Sequence, residues 1–257
     1  MDSANQATDS VQIEVCVDSV ASAIAAERGG AVRVELCSNL LEGGVTPSTG
    51  LIEAVKAKTS IGLHVIIRPR PGDFSYSQDE LEIMRRDIEA VKALGADGVV
   101  LGLLDTSGQV DVDSTRELVD LARPLSVTFH RAFDMSSNLL HALEDICSTG
   151  ADRVLTSGGE QTCLQGIDTI ALLVKAARGR IKIMAGAGIG PEDAAEIVRQ
   201  TGVREIHVGL SSQLDSPMLY RNPRVSMGRA AGREYQRIQV LEENVRKLHH
   251  AVSLVET

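Results

Sequence analysis

Gly95-Ala96-Asp97-Gly98-Val99-Val100-Leu101 recurs three more times in degenerate form, and this repetition decides the fold. The other copies are Gly30-Ala31-Val32-Arg33-Val34-Glu35-Leu36, Gly150-Ala151-Asp152-Arg153-Val154-Leu155 and Gly202-Val203-Arg204-Glu205-Ile206-His207-Val208. In each, a glycine follows a helix-like stretch and precedes a strand-like one. Glycine just past a helix adopts the left-handed conformation that ends it, and the β-branched run behind it suits a sheet. The four copies therefore mark four helix-to-strand junctions.

Working outward, further short apolar runs occupy residues 11–17, 63–68, 125–130 and 181–184, each followed by a loop and a helical pattern. Eight βα units result. Strands that alternate with helices pair in parallel through right-handed crossovers, and eight such units close most readily into a (β/α)8 barrel; a doubly wound open sheet is the alternative. The length of 257 residues suits one barrel domain over residues 11–257. Ser77 opens a helix expected over residues 78–94, and Pro191 with Glu192 and Asp193 reads as another first turn. Pro217, Pro223, Gly228 and Gly232 break the rhythm over residues 211–232, which offer a long loop suited to a subunit interface. Residues 234–254 then read as a final amphipathic helix on the outside of the barrel.

Composition narrows the function. A net charge of −9 and no long Lys/Arg run disfavour nucleic acid. Gly or charge interrupts every apolar stretch before it reaches the ~20 residues needed to cross a bilayer. Residues 1–10 are polar, without the apolar core of a secretory signal, and read as a disordered leader. The expected location is the cytoplasm, where Cys16, Cys37, Cys147 and Cys163 stay reduced.

Side-chain alternation assigns the lumen. In the first strand Val11, Ile13, Val15 and Val17 face the helices, which turns Gln12, Glu14, Cys16 and Asp18 to the axis. The second strand points Arg33, Glu35 and Cys37 inward. The same count turns in Val100, Gly102, Leu155, Ser157, Glu205 and His207, together with His64, Ile66, Arg68, Thr128, His130, Lys182 and Met184. Buried ionisable groups are tolerated only when paired or put to use. Barrels build their sites at the C-terminal ends of the strands and stabilise themselves lower down. Cys16, Cys37, Arg68, His130, Ser157, Met184 and His207 form the upper set; Gln12, Arg33, His64, Lys182 and Glu205 the lower, with Glu14 and Glu35 between.

Cys16 and Cys37 end consecutive strands and point the same way, so they form either a soft-metal site, completed by Met184 or a histidine, or two small buried thiols. Glu14, Glu35 and His130 are candidates for acid–base catalysis or for an ion-pair network. Arg68 and Arg70, set among Pro69 and Pro71, resemble an anion clamp; their other available partners are Glu35 and Asp73. His130-Arg131-Ala132-Phe133-Asp134 is the densest cluster of recognition side chains, and Asp134 reads equally as a cap for the next helix. Arg131, Ser157 and His207 complete the candidate substrate-binding set. The glycine-rich turn at residues 185–191 sits where barrels often bind phosphate.

Taken together, Glu14-Val15-Cys16-Val17-Asp18, Glu35-Leu36-Cys37, Glu42-Gly43-Gly44, Thr46-Pro47-Ser48, Ile67-Arg68-Pro69-Arg70, Phe129-His130-Arg131-Ala132-Phe133-Asp134 and Leu155-Thr156-Ser157-Gly158 resemble the signature of the CutC family of copper homeostasis proteins. The resemblance covers residues 11–212. It implies a TIM barrel, a cytoplasmic homo-oligomer (dimer or tetramer), and Cu(I) held by Cys16 and Cys37. Two departures, at residues 184–189 and 207–212, weaken the case for phosphate binding between the last strands. The alternative function is an enzyme acting on a small anionic metabolite through Glu and His acid–base chemistry, with no reaction assignable from sequence.

Overall fold

The computed structural model describes residues 10–227 and 232–255. Most of the expected leader, and Gly228 of the expected loop, lie outside these residues.

Eight parallel strands close into a barrel: β1 (Gln12–Val17), β2 (Arg33–Leu36), β3 (Gly62–Ile66), β4 (Gly98–Leu101), β5 (Ser126–Phe129), β6 (Arg153–Thr156), β7 (Lys182–Gly186) and β8 (Glu205–Val208). Pairing of β1 with β8, with Glu14 level with His207, seals the ring and excludes the open sheet. Seven helices occupy the crossovers: α1 (Val20–Arg28), α2 (Thr49–Lys56), α3 (Gln78–Ala93), α4 (Val112–Ala122), α5 (Leu139–Thr149), α6 (Ile167–Ala177) and α7 (Ala194–Thr201). The glycines that open the four repeats, Gly30, Gly95, Gly150 and Gly202, all have positive φ, between 74° and 97°. They stop helices as their position in the repeat requires.

The repeat also fixes register. Asp97 accepts the backbone N–H of Leu63 at 2.9 Å, and Asp152, in the equivalent place, accepts that of Val127 at 2.7 Å. Each aspartate thus ties its own strand to the start of the preceding one. Helix starts are capped by side chains: Ser19, Ser48, Asp111 and Asn138 each accept a first-turn N–H. At α3, Ser77 and Glu80 form a reciprocal capping box.

Outward-facing Val15, Val34, Leu63, Val65, Val99, Leu101, Val127, Phe129, Val154 and Ile206 pack beneath the helices in an aliphatic core. The alternation read from the sequence holds for β1 and β2, whose other faces meet inside the barrel.

Beyond β8 the structure corrects two boundaries. Residues 211–215 form β9 (Ser211–Asp215), which pairs antiparallel with β10 (Gln236–Val240), so part of the expected final helix is a hairpin strand. Helix α8 starts at Glu242 and ends at Ser253, burying Val245, Leu248 and Val252 on one stripe. Likewise α7 begins at Ala194, after Pro191. Among the described residues no helix is long and apolar enough to cross a membrane.

Candidate functional site

The lumen has two storeys. The lower one is an ion-pair lattice. Glu14, 1% exposed, accepts from Arg33 and lies 2.7 Å from Nδ1 of His207. Arg33 also donates to Glu205 at 2.8 Å and to the Met184 sulfur at 3.4 Å. Glu205 further accepts from Arg153 at 2.5 Å and meets Lys182 at 3.0 Å, and Arg153 reaches Thr128 at 3.1 Å. The lattice therefore stitches β1, β2, β5, β6, β7 and β8 together across the axis. Burial pushes the Glu14 carboxyl up, but the His207 hydrogen bond and the Arg33 guanidinium outweigh it and hold it well below the carboxylate range. His64, desolvated beside this lattice, falls to about 4 and stays neutral.

The upper storey is a cavity of about 960 Å³ opening at the C-terminal ends of the strands. Cys16, Glu35 and His207 lie at its floor side, Arg68, His130, Phe74, Ile66 and Leu155 on its walls, and Arg131 and Met135 nearer its rim. The sulfurs of Cys16 and Cys37 are 3.7 Å apart, and with a Glu35 oxygen they fall within 4.8 Å of one another. The hydrogen bond from Cys37 offsets the burial that would raise the Cys16 thiol and, with His207, brings it down to about 5. Cys37 is raised by the same contact. Burial, and then the Cys16 charge, push Glu35 well above the usual carboxylate range. Burial would keep His207 neutral, yet its bonds to Cys16 and Glu14 favour its charged form.

These sulfurs fit a metal. Their separation is shorter than the roughly 4.6 Å that two bonds of about 2.3 Å span in a straight line, so the pair suits a bent arrangement with a further donor. Glu35 is placed to supply one. Met184 is not, because its sulfur is engaged by Arg33 in the lower storey.

The remaining predicted site residues divide. Arg68 and His130 line the cavity. Arg131 does so from the rim, bonded to Asp134 and Ser157 at 2.8 Å each. Ser157 is buried and holds Arg131 and Asp134 in place without lining the cavity. Arg70 is turned away: it donates to Glu80 at 2.5 Å, to Asp73 at 3.0 Å and to Ser75 O at 2.8 Å, and stacks on Tyr76. The pairing with Asp73 is thus the partner it takes, and the two-arginine clamp is not assembled. Asp134 does not cap α5, where Asn138 does that work. It accepts from the Ser157 and Gly159 backbone N–H groups and from Thr156, clamping the loop after β6.

Sequence reasoning passed over one lumen residue, Arg153, and the part that the inward-facing Gly102 plays. Arg153 faces the lumen, as two steps back from Leu155 would have shown. Gly102 leaves room for His130: a Cβ there would lie 2.4 Å from its Nδ1. Phosphate binding after β8 lacks its usual helix N-terminus, because the chain passes from β8 into the β9 hairpin.

Residues 11–212 match the sequence model of the CutC family. The chain belongs to that family. A Mus musculus protein named as a copper homeostasis protein CutC homologue is 50% identical over 216 residues, covering 84% of this chain and 79% of its own. A Chromobacterium violaceum CutC family protein is 45% identical over 240 residues, covering 93% and 97%. Among solved structures, the CutC protein of Streptococcus agalactiae superposes with a TM-score of 0.73 at 33% identity, covering 77% of this chain and 98% of that one. The CutC match ends at Ser212, so the hairpin partner β10 and helix α8 lie beyond it.

Proposed function

We propose that this CutC family member binds Cu(I) through Cys16 and Cys37 at the C-terminal mouth of its barrel, in the service of copper homeostasis in the cytoplasm. The observation that carries the proposal is the 3.7 Å sulfur pair beside Glu35. Thiolates select Cu(I) over harder cations, and Cys16 is already the more acidic of the two thiols. A reducing compartment keeps both sulfurs available. Anaerobic Cu(I) titration against a competing chelator tests the reading: the wild type takes up copper tightly, and a Cys16→Ala, Cys37→Ala variant does not. Equal affinity in the two proteins refutes it.

A second reading, an enzyme acting on a small anion, draws on the size of the cavity above the thiols. Here Glu35, which faces the cavity with its carboxyl pushed up by burial, is the acid–base group, since Glu14 is committed to the lattice below. We also propose a homo-oligomer, dimer or tetramer. Met218, Leu219, Tyr220, Val225 and Met227 gather exposed apolar side chains in the segment after β9, and clustered apolar surface of this kind marks interaction sites. Light scattering of Leu219→Asp should report a smaller species than wild type; an unchanged mass argues against this face.

A further inference from the structure

Buried charges in proteins are paired, because an uncompensated ion in a desolvated site costs several kcal/mol. Arg33 and Arg153 obey this rule through Glu14 and Glu205. Arg68, only 5% exposed, departs from it. Its Nη1 donates to the carbonyls of Glu42 and Gly44 at 3.0 and 2.8 Å, and its Nη2 to that of Gly72 at 2.8 Å. Its guanidinium carbon lies 5.1 Å from the centre of the Phe74 ring, and among the described residues no carboxylate forms an ion pair with it. Neutral carbonyls orient the cation but leave its charge unbalanced at the cavity wall.

On the same wall stands His130, 6% exposed. Its Nδ1 accepts the backbone N–H of Ala132 at 3.1 Å, which leaves the proton on Nε2. Nε2 is buried and has no hydrogen-bond partner. Of the five buried side-chain atoms without a partner among the described residues, two belong to cavity-lining residues: this Nε2 and the Nε of Arg68. Of the two, the Arg68 atom has the Tyr76 hydroxyl, also unpartnered, close enough to exert a hydrogen-bonding influence. The wall thus carries an unbalanced charge on Arg68 and an unused donor on His130. Phe74 joins them, 5.1 Å from Arg68 and 4.9 Å from the His130 ring centre.

We propose that the wall formed by Arg68, His130 and Phe74 is a binding subsite for a small organic monocarboxylate, whose charge balances Arg68, whose oxygen accepts from His130 Nε2, and whose apolar body lies against Phe74, Ile66 and Leu155. One unbalanced cation matches one negative charge. A phosphate dianion would need a second cation, and the other candidates are spent, Arg131 on Asp134, Arg70 on Glu80 and Asp73, and His207 on Glu14. The imidazole stays neutral through the physiological range, since burial and the neighbouring Arg68 push it down to about 3. His130 is therefore a hydrogen-bond donor to the ligand and not the proton acceptor that its sequence position suggests. The inference is independent of the copper reading; it rests on the second reading for its metabolic sense and gives that reading its ligand class.

The test is titration of the full-length protein with a series of monocarboxylates from acetate through butyrate and benzoate to phenylpyruvate, beside benzamide and inorganic phosphate, followed by ligand-observed NMR. The expected result is saturable binding of the larger carboxylates, with benzamide and phosphate much weaker. His130→Phe should weaken carboxylate binding by about tenfold to a hundredfold, as loss of a hydrogen bond to a charged group implies. His130→Gln, which keeps an N–H donor, should recover part of it. Circular dichroism confirms that both variants fold, and the ¹⁵N shift of His130 Nε2 in the wild type should move on addition of benzoate. Absence of binding by every carboxylate at millimolar concentration overturns the proposal, as does equal binding of benzoate and benzamide or indifference to His130→Phe. Cu(I) titration of the cysteine variant reports on the thiol pair alone, so either site can fail while the other stands.

Discussion

Glu205→Gln removes the charge on which the lower storey turns, and its cost can be worked from the structure. Glu205 is 3% exposed and faces Arg33, Arg153 and Lys182, the first two buried. Burial raises its carboxyl, but Arg153 and then Arg33 outweigh that and hold it at about 2 against an ordinary 4.5. A fall from 4.5 to about 2 corresponds to about 3 kcal/mol of folded-state preference for the ionised form. Breaking a buried pair by removing one partner costs about 3–5 kcal/mol in other proteins, so the two routes agree. Because the folded-state value is depressed, the contribution is fully present above pH 4.5 and is lost as pH falls toward 2; it should be halved at roughly pH 3. Urea unfolding followed by far-UV circular dichroism is the suitable assay, the chain having no Trp. At pH 7 the variant's midpoint should fall by an amount worth about 3 kcal/mol at unchanged slope, and the gap should narrow below pH 4.5. A loss under about 1 kcal/mol, the scale of an exposed ion pair, or a gap that ignores pH would refute the lattice as the barrel's internal brace.

Further outcomes follow from the upper storey. Gly102→Ala places a Cβ 2.4 Å from His130 Nδ1, and should destabilise the protein by about 1–3 kcal/mol while weakening benzoate binding; urea unfolding and NMR titration check the two effects. Iodoacetamide should alkylate Cys16 ahead of Cys37, with a rate that levels off above about pH 5, as mass-resolved kinetics can show. In His207→Ala that plateau should move to higher pH, because His207 helps to stabilise the Cys16 thiolate. Equal alkylation of both cysteines would contradict the asymmetry between them.

Much of this architecture is legible in the sequence, for a physical reason: helix-stopping glycines and strand alternation are local rules that a closed barrel obeys on every strand. Gly30, Gly95, Gly150 and Gly202 mark real junctions, and alternation in β1 and β2 places Glu14, Arg33, Cys16, Glu35 and Cys37 inside. Alternation ends where the strand ends. Arg70 lies past Ile66, the last residue of β3, so its direction depends on a loop closed by Glu80 and Tyr76. For the same reason Asp134 looks like a cap until the loop after β6 is seen folded onto it. The segment 236–240 has a helix-like composition, yet it pairs with 211–215, a contact between residues too distant in sequence for any local pattern to announce. The role of His130 turns on which nitrogen bears the proton, and that depends on one backbone bond to Ala132.

X-ray absorption at the copper edge of anaerobically Cu(I)-loaded protein reads out the donor atoms around the metal. The expected spectrum shows two sulfur neighbours, from Cys16 and Cys37, and one lighter donor atom. A shell made of nitrogen and oxygen alone, or one unchanged when Cys16 and Cys37 are both replaced by alanine, would contradict it.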